Sequence, residues 1–340
     1  MEQSRVHRAG AARRRVTSTD VANEAGLSRA TVSFVLNDAP NQTIPEVTRR
    51  RVWDAARKLG YMPSAAARTL RTGRSEVVLF VLPDTPVGPA LVRVTERLAG
   101  LLDDAGLTML TVPRTGGRSG RSVWSRVTPD AVLTFEAFSD GERALLEQLG
   151  IEHVVDVSMS GDLLAGQDGS IDTRIGRLQA GELLAGGRRI GVVSPADPRL
   201  QRFAVPRRSG AEEACADAGV ECMNAVMPLT PDGARTALAE LGCADGAVTG
   251  ICAYNDEYAM ALLAAARDSG LTGDRRPAVI GVDDIPTAPF ADPPLTTVVL
   301  DVDEVAGEIA AEVIERLTGT EIERSPRPEG MLTLVRRESA

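Results

Sequence analysis

The arginines near the start of the chain are the side chains whose type and spacing point most directly to a chemistry, the binding of phosphate. Residues 1–75 carry 14 Lys and Arg against 6 Asp and Glu, a net charge of +8, which leaves −17 on the remainder of a chain whose total is −9. A basic segment joined to an acidic body is typical of a protein that contacts nucleic acid through that segment. The charge alone leaves open the alternative of a basic tail that only keeps the protein soluble.

Residues suited to covalent or metal chemistry are not arranged for it. The glycine-rich segment 116–120 lacks the lysine and following hydroxyl with which a P-loop holds phosphate and magnesium. The two histidines, His7 and His153, complete no Ser-His-Asp or Cys-His set, and the four cysteines contain no CxxC pair. We therefore predict no catalytic residue, no metal ligand and no cofactor, and we do not expect an enzyme.

Length and composition indicate a globular protein of two or three domains, because 340 residues with 43% hydrophobic content can bury a sizeable core. No apolar run approaches the roughly 18 residues of a membrane span. The N-terminal residues lack the apolar stretch of a signal peptide. We expect a cytoplasmic protein with no membrane partner.

Three helical patterns follow a flexible basic arm, which we place at residues 1–15. The capping-box spacing at Thr17 predicts a first helix that Gly26 ends, and Ser28 is suited to cap a second. A third helix is predicted to open at Thr43.

Two short helices joined by a glycine turn and followed by a longer one match the helix-turn-helix pattern, which places a helix in the DNA major groove. A small helical core without DNA contacts is the alternative. The DNA interpretation is favoured because guanidinium groups bind guanine edges and phosphates. The basic residues on the predicted solvent faces are Arg29, Arg49, Arg50, Arg51, Arg57 and Lys58.

The segment at residues 63–75 is rich in helix formers but has little apolar surface to bury, so a helix there is marginal by itself. Its single large apolar side chain is Leu70. A linker that becomes helical only on DNA, with Leu70 as a wedge between base steps, is one interpretation. A flexible tether is the other.

From Glu76 onward apolar strands alternate with amphipathic helices, which predicts parallel sheets covered by helices on both faces. Ligands of such folds bind beyond the carboxyl ends of the strands. The predicted strands are 77–82, 107–112, 131–135, 153–157, 189–193, 248–253, 278–282 and 297–300. The predicted helices include 90–105, 140–149, 173–185, 207–218, 232–241 and 256–269.

Several stretches together resemble one known family. The strongest are VTSTDVANEAGLSRATVSFVLN and VTRRRVWDAARKLGYMPSAAARTLRTGRS, and later ones are LLAGGRRIGVV, AYNDEYAMALLAAARDSGL and VIGVDDIP. On these stretches the chain resembles the lactose-repressor (LacI/GalR) family of bacterial transcriptional regulators. The resemblance begins at Val16 and covers nearly all of the chain.

The resemblance implies an α-helical helix-turn-helix head plus an α/β body, the body made of two Rossmann-like subdomains of periplasmic-binding-protein type I. The DNA-binding domain is expected at residues 16–62, a hinge helix or linker at 63–75, and an effector-binding and dimerisation domain at 76–340. The chain is expected to cross between subdomains near Asp172, Thr297 and Ser325. The N-subdomain would comprise about 76–172 and 297–325, and the C-subdomain about 173–296 and 326–340.

The implied function is that of a sequence-specific repressor, which binds a pseudo-palindromic double-stranded DNA operator as a homodimer. A small-molecule effector, a sugar or another small polar metabolite, would modulate it from the cleft between the subdomains. Whether the effector releases or recruits the protein stays open. The alternatives are a solute-binding module with a vestigial head and a sugar-processing enzyme on the same α/β scaffold.

Matching to the family assigns DNA contacts to individual residues. Base readout falls to Arg29, Ala30 and Phe34, and Phe34 departs from the arginine that is common in the family. Packing against the third helix is the other interpretation of Phe34. The predicted backbone contacts are Thr17, Ser28, Thr31, Ser33 and Arg49, and the predicted hinge and minor-groove residues are Ala67, Arg68 and Leu70.

The same matching assigns the effector site. Its predicted residues are Asp84, Asp172, Arg207, Asn255 and Asp283. Arg207 is expected to bind a hydroxyl or carboxylate of the effector, and the alternative is a surface cation. Asn255 and Asp283 follow strand ends, where a helix-capping role is the alternative. The segments expected to line the cleft lack the aromatic side chain that commonly stacks on a sugar ring, which leaves open a small polar effector or none.

Overall fold

The computed structural model describes residues 16–37, 43–62, 69–70, 72–114, 124, 126–157, 170–322 and 331–340. The chain divides into two compact units, Met1–Ser75 and Glu76–Ala340. The predicted arm at residues 1–15 and the predicted hinge residues Ala67 and Arg68 lie outside the described residues.

In residues 16–37 and 43–62 of the first unit the structure has the helices α1 (Ser18–Ala25), α2 (Arg29–Leu36) and α3 (Glu46–Leu59). The capping box predicted for α1 is confirmed. The Asp20 amide donates to Thr17 Oγ1 at 3.3 Å, and the Thr17 amide donates to the Asp20 carboxylate at 2.8 Å. These two bonds satisfy amides that the first turn of a helix leaves unpaired.

Helix α3 starts later than predicted. Thr43 was expected to open it, but the helix begins at Glu46, directly after Pro45, and no side chain caps it. Proline disfavours helical backbone at the residue before it, so Ile44 is kept out of the helix.

Small apolar side chains make up the core of the first unit: Val21, Ala22, Ala25, Val32, Val35, Val52, Ala55 and Ala56. The turn between α1 and α2 depends on Gly26, whose φ is +60°. A Cβ atom there would lie 2.8 Å from Arg51 Nη2. A larger residue would therefore strain the turn and displace the Arg51 side chain.

The second unit contains two sheets. Its strands are β1 (Val77–Leu82), β2 (Thr108–Pro113), β3 (Ala131–Thr134), β4 (His153–Asp156), β5 (Ile190–Pro195), β6 (Cys222–Met227), β7 (Gly250–Ala253), β8 (Ala278–Val282), β9 (Thr296–Leu300) and β10 (Leu332–Val335). The first sheet has the order β2-β1-β3-β4 and the second the order β10-β9-β8-β7-β5-β6. All described pairings are parallel except that of β10 with β9.

Helices cover both faces of each sheet, as the alternating pattern predicts. They are α4 (Pro89–Asp104), α5 (Asp140–Gln148), α6 (Ile171–Ala185), α7 (Gln201–Asp217), α8 (Pro231–Glu240), α9 (Asp256–Asp268) and α10 (Val302–Thr318). Helices α4 and α10 pack on one face of the first sheet and α5 on the other. Helices α6 and α7 cover one face of the second sheet, and α8 and α9 the other. We call the first sheet with its helices the first lobe, and the second sheet with its helices the second lobe.

The chain passes from the first lobe to the second at the start of α6, where Ile171 packs in the first core and Ile175 in the second. It returns at about Leu300, because Leu300, Val302 and Val305 pack in the first core. Thr297, near which this return was predicted, is fully buried and paired with β8 in the second sheet. The return therefore follows Thr297 within a few residues.

Ser325, the residue predicted to mark the last crossing, lies outside the described residues. Met331 still packs in the core of the first lobe, and Leu332 begins β10 in the second sheet. The described chain thus returns to the second lobe between these two residues.

Each of the eight predicted strands is present, whereas β6 and β10 were not predicted. Both lie at an edge of the second sheet. Edge position alone is not the reason, because β2 and β4 lie at the edges of the first sheet and were predicted. Within the described ranges, no helix is both long and apolar enough to cross a membrane.

Candidate functional site

The exposed face of α2 carries the three residues predicted to read bases. Arg29 and Ala30 are exposed in its first turn, and Phe34 is 38% exposed. Phe34 does not belong to the apolar cluster that Val32 and Val35 enter, so packing in this core does not account for it. The Arg29 guanidinium has no hydrogen bond or ion pair with any described residue.

The residues predicted to contact the DNA backbone lie on the same unit. Thr17 caps α1, and Ser28 caps α2 by accepting from the Thr31 amide at 3.0 Å. Ser33 and Arg49 are half-buried. Because capping hydroxyls hold the first amides of a helix in place, Ser28 orients the N-terminus of α2, where anions bind readily.

Several cations of α3 are bound within the first unit. Arg51 Nη2 donates to the Gly26 carbonyl at 3.5 Å. Lys58 Nζ pairs with Glu24 Oε1 at 2.6 Å, and Arg57 pairs with its neighbour Asp54. The Arg57 and Lys58 side chains are still 73% and 70% exposed, so both lie on the solvent face as the sequence predicts.

Leu70 is 90% exposed in a short helical stretch with Thr69. A single exposed aliphatic side chain is common on folded surfaces, so this exposure does not by itself select between the wedge and the tether. The wedge role of Leu70 stays a prediction.

In the second lobe, Arg207 is the centre of a buried cluster. Its Nε donates to Asp172 Oδ1 at 2.7 Å, and its Nη1 donates to the Tyr254 carbonyl at 2.8 Å. The guanidinium also lies over the Tyr254 ring, 4.9 Å from the centroid. Burial alone would lower the pKa of Arg207, but Asp172, Tyr254 and Asp283 raise it, and the net shift is upward.

Asp283 follows β8 with a φ of +104°, a strained conformation for a side-chain-bearing residue. Its amide donates to the Val298 carbonyl at 2.8 Å, which fixes the turn. Burial raises the pKa of its carboxyl to about 6, although Arg207 and Arg93 act in the opposite direction. Asp283 and Arg207 therefore lie in one site.

Asn255 and Asp84 do not extend this cluster directly. The Asn255 side chain caps α9 by accepting from the Tyr258 amide at 3.1 Å, so the capping alternative is the contact that the structure contains. Asp84 is exposed, and its nearest described ion-pair contact is to Arg199 at 4.0 Å.

A cavity lies beside Arg207 at the carboxyl ends of β5 and β7, lined in part by Ser194 and Tyr254. Its volume of ≈ 10 Å³ is close to that of one water molecule. A sugar does not fit in this cavity unless the surrounding groups move.

Two arginines that the sequence analysis missed link the lobes. Arg93 on α4 donates from Nη2 to the Asp283 carbonyl at 2.6 Å. In the other direction, Arg202 on α7 donates to the Phe135 carbonyl, and its Nη1 lies 3.3 Å from Glu136 Oε1. Helix α7 was predicted only from residue 207, so its first turns, which carry Arg202, were overlooked because Pro206 lies inside the helix.

Comparison with known proteins places these features in a family. Residues 17–64 match bacterial regulatory proteins of the lacI family, and residues 183–340 match the periplasmic binding protein-like domain. The HTH-type transcriptional regulator CelR of Thermobifida fusca is 31% identical over 332 residues, which cover 90% of this chain and 93% of the relative. The chain belongs to the LacI family of bacterial regulatory proteins.

Other similar proteins agree with this LacI-family assignment. The HTH-type transcriptional regulator GalS of Salmonella typhimurium is 30% identical over 334 residues, covering 95% of this chain and 96% of the relative. Because these full-length relatives are transcriptional regulators, the interpretation as a regulator is favoured over a solute-binding module or an enzyme.

Solved structures show the same fold. The structure of a CelR–cellobiose complex covers 96% of this chain and all of its own, with a TM-score of 0.62 and 25% identity. The lac repressor dimer bound to operator and the anti-inducer ONPF covers 96% of this chain and 99% of its own, with a TM-score of 0.73 and 18% identity. The two-lobed α/β body predicted from the sequence is confirmed.

Asp256 is a buried carboxylate of this LacI-family regulator that the sequence analysis missed. Its Oδ1 accepts from Thr297 Oγ1 at 2.6 Å, and its Oδ2 accepts from the Ile285 amide at 2.9 Å. A Cβ on Gly281 would lie 2.1 Å from Asp256 Oδ1. Asp256 thus ties α9 and β9 to the turn that presents Asp283. Its position directly after Asn255 was the signal available in the sequence.

Stability should depend on pH through Asp256. Burial raises the pKa of its carboxyl to about 7, Thr297 and the Ile285 amide oppose the shift, and Asp283 and Asp284 add to it. The folded protein therefore binds a proton that the unfolded chain, with an Asp pKa of about 3.9, releases. Stability from this group is complete at low pH and is lost as the pH rises through about 7.

We expect Asp256→Asn, which stays neutral, to gain about 2 kcal/mol relative to wild type between pH 5 and pH 7. Urea unfolding at several pH values measures this difference. Asp274→Asn, at an exposed carboxylate, is the control, and its free energy of unfolding should change with pH as that of wild type does. If the free energy of unfolding of Asp256→Asn also changed with pH as that of wild type does, Asp256 would be ionised in the folded protein.

Proposed function

We propose that this LacI-family regulator is a repressor that binds a pseudo-palindromic operator as a homodimer and responds to a small-molecule effector in the cleft between its lobes. The observation that carries the proposal is Arg29, which is exposed and unpaired among the described residues at the start of α2. A free guanidinium there is suited to bind a guanine edge with two hydrogen bonds.

The DNA contacts follow from the placement of the side chains. Arg29 reads guanine, Ala30 offers an apolar contact to a thymine methyl, and Phe34 presents an exposed aromatic edge beside them. The groups assigned to the sugar-phosphate backbone are Thr17, Ser28, Thr31, Ser33 and Arg49. Leu70, with Ala67 and Arg68 beside it, enters the minor groove and opens a base step.

Two copies are required for a palindromic site, because a two-fold protein recognises a two-fold DNA sequence. In the described part of the second lobe, Phe290 is 85% exposed, Val226 58% and Leu229 46%. The lac repressor, whose fold this chain shares, has been solved as a dimer on its operator.

The effector site is built from Asp172, Arg207 and Asp283 in the second lobe, with Asn255 and Asp84 at its margin. CelR has been solved with cellobiose, which supports a sugar or another small polar metabolite as the class of effector. Arg93 and Arg202 connect the lobes, so a ligand between them changes the lobe angle. The effector shifts operator affinity because it binds one lobe arrangement better than the other.

Selection of bound duplexes from a random pool tests the DNA model. We expect wild type to enrich a palindromic motif, and Arg29→Ala to lose its preference at one symmetric position, with a loss of affinity of about 30-fold for the best site. Binding of wild-type protein to its motif should weaken steeply with salt.

Arg57→Ala is the matched control, because Arg57 is exposed on α3 and already pairs with Asp54. This variant should keep the wild-type motif. Equal enrichment of all sequences by wild type, or an unchanged motif in Arg29→Ala, would contradict the readout model.

A further inference from the structure

Arginines at the facing edges of the lobes are mostly neutralised. In the described part of the chain their closest carboxylate contacts are Arg114 with Glu142 at 3.0 Å, Arg199 with Asp197 at 2.7 Å, Arg202 with Glu136 at 3.3 Å and Arg207 with Asp172 at 2.7 Å. A guanidinium that is paired with a carboxylate of the protein has few N–H donors left for a ligand.

Arg93 differs from these arginines. Its hydrogen bond is to a main-chain carbonyl, that of Asp283, and no carboxylate of the described residues lies within ion-pair distance. Its Nε is buried and has no hydrogen-bond partner. A buried charged donor without an acceptor is destabilising, so the site gains when an acceptor arrives.

The surroundings of Arg93 favour an acceptor that carries negative charge. Arg207 and Arg93 both act on the Asp283 carboxyl, so the two guanidinium groups lie near one point. Asp172 offsets the charge of Arg207. Because burial raises the pKa of Asp283 to about 6, its carboxyl is partly protonated near that pH and then opposes an incoming anion less than an ionised aspartate does.

We propose that the cleft binds a small molecule through an oxyanion group, a carboxylate or a phosphate, which Arg93 receives beside Arg207 and Asp283. The planar guanidinium of Arg93 offers Nε and Nη donors in the fork that matches two oxygens of such a group. The inference deepens the proposed function, since it names the chemistry of the effector.

The test uses the full chain and two small probes, sodium sulfate for a phosphate group and sodium acetate for a carboxylate. Thermal unfolding is followed at increasing probe concentration and compared with sodium chloride at matched ionic strength. We expect a saturating rise in Tm of about 3 °C in wild type for at least one probe, because a ligand of the folded state raises Tm. Non-specific stabilisation by sulfate does not saturate and is the same in all variants.

Arg93→Gln should lose the saturating rise. Arg97→Gln is the matched control, since Arg97 lies one turn along α4 and pairs with Asp303 on the surface. Arg93→Lys keeps the positive charge but loses the paired N–H donors of the guanidinium, so about tenfold more probe should be needed for the same rise in Tm. This variant replaces Arg93→Gln in the test if Arg93→Gln does not fold. A response to sulfate alone assigns a phosphate, and a response to acetate alone assigns a carboxylate.

The proposal is overturned if neither probe exceeds chloride in wild type, or if Arg93→Gln responds as wild type does. These outcomes are separate from those of the proposed function, because the duplex selection needs no effector. Wild type that selects a palindrome but ignores both probes would refute only the anion site. A probe response without duplex discrimination would refute only the operator model.

Discussion

Replacing Gly210 by alanine should lower the free energy of unfolding by about 3 kcal/mol, because the backbones of α6 and α7 touch at this residue. A Cβ on Gly210 would lie 1.9 Å from the Thr173 carbonyl oxygen. On the facing helix, a Cβ on Gly176 would lie 1.8 Å from the Arg207 carbonyl oxygen. Neither contact is with a flexible side chain, so the helices themselves have to separate.

This close approach also builds the site. Asp172 lies on α6 and Arg207 on α7, and their 2.7 Å contact exists only while the helices stay in register. Gly210→Ala should therefore weaken effector binding as well as stability.

Gly181→Ala is the control for Gly210→Ala. Gly181 is also helical, on α6, but a Cβ there meets nothing within 4 Å. Alanine should stabilise this position by about 0.5 to 1 kcal/mol, since glycine is costly inside a helix. Urea unfolding gives both values. If Gly210→Ala and Gly181→Ala had equal free energies of unfolding, α6 and α7 would separate without a cost in stability. Their close packing would then not depend on glycine.

Arg207→Ala is expected to have the second large effect, a loss of about 3 kcal/mol in the free energy of unfolding. The Arg207 and Asp172 side chains are only 15% and 16% exposed. Removing one partner leaves the other charge in a poorly hydrated place, which costs more than the pair itself contributes. The Tyr254 carbonyl loses its donor as well.

A double-mutant cycle separates these effects. Asp172→Ala in the Arg207→Ala background should be much less damaging than Asp172→Ala alone, because the stranded charge is then absent. Arg208→Ala is the matched control. Arg208 is the neighbouring residue, but its contact with Glu212 at 3.6 Å is on the surface, and its loss should cost less than about 0.5 kcal/mol. Additive losses in the cycle would contradict a coupled buried pair.

Much of the fold was predictable because its signals are local. The capping box at Thr17, the serine cap at Ser28 and the glycine turn at Gly26 each act within a few residues of chain, and the structure contains all three. The interior strands of both sheets were predicted because their apolar runs are continuous. Of the edge strands described, β2 and β4 were predicted and β6 and β10 were not.

The candidate site was predictable in part. Family matching predicted Asp172 and Arg207, and the position after a strand end predicted Asp283. The structure brings the three residues together. Asn255 was identified by the same rule but caps α9, while Asp84 stays in solvent. A position at a strand end therefore locates a residue near the cleft without deciding what its side chain contacts.

By itself, the sequence determined the helix-turn-helix pattern, the basic head, the repeating strand and helix order and the family. These depend on residue types at short spacing, where backbone geometry leaves few options. Only the tertiary structure decided that Arg51 contacts the Gly26 carbonyl, that Lys58 pairs with Glu24, that Asp256 is buried, and that Arg93 reaches across to Asp283. The charge and burial of such groups depend on neighbours that are distant in the chain, and folding alone brings those neighbours together.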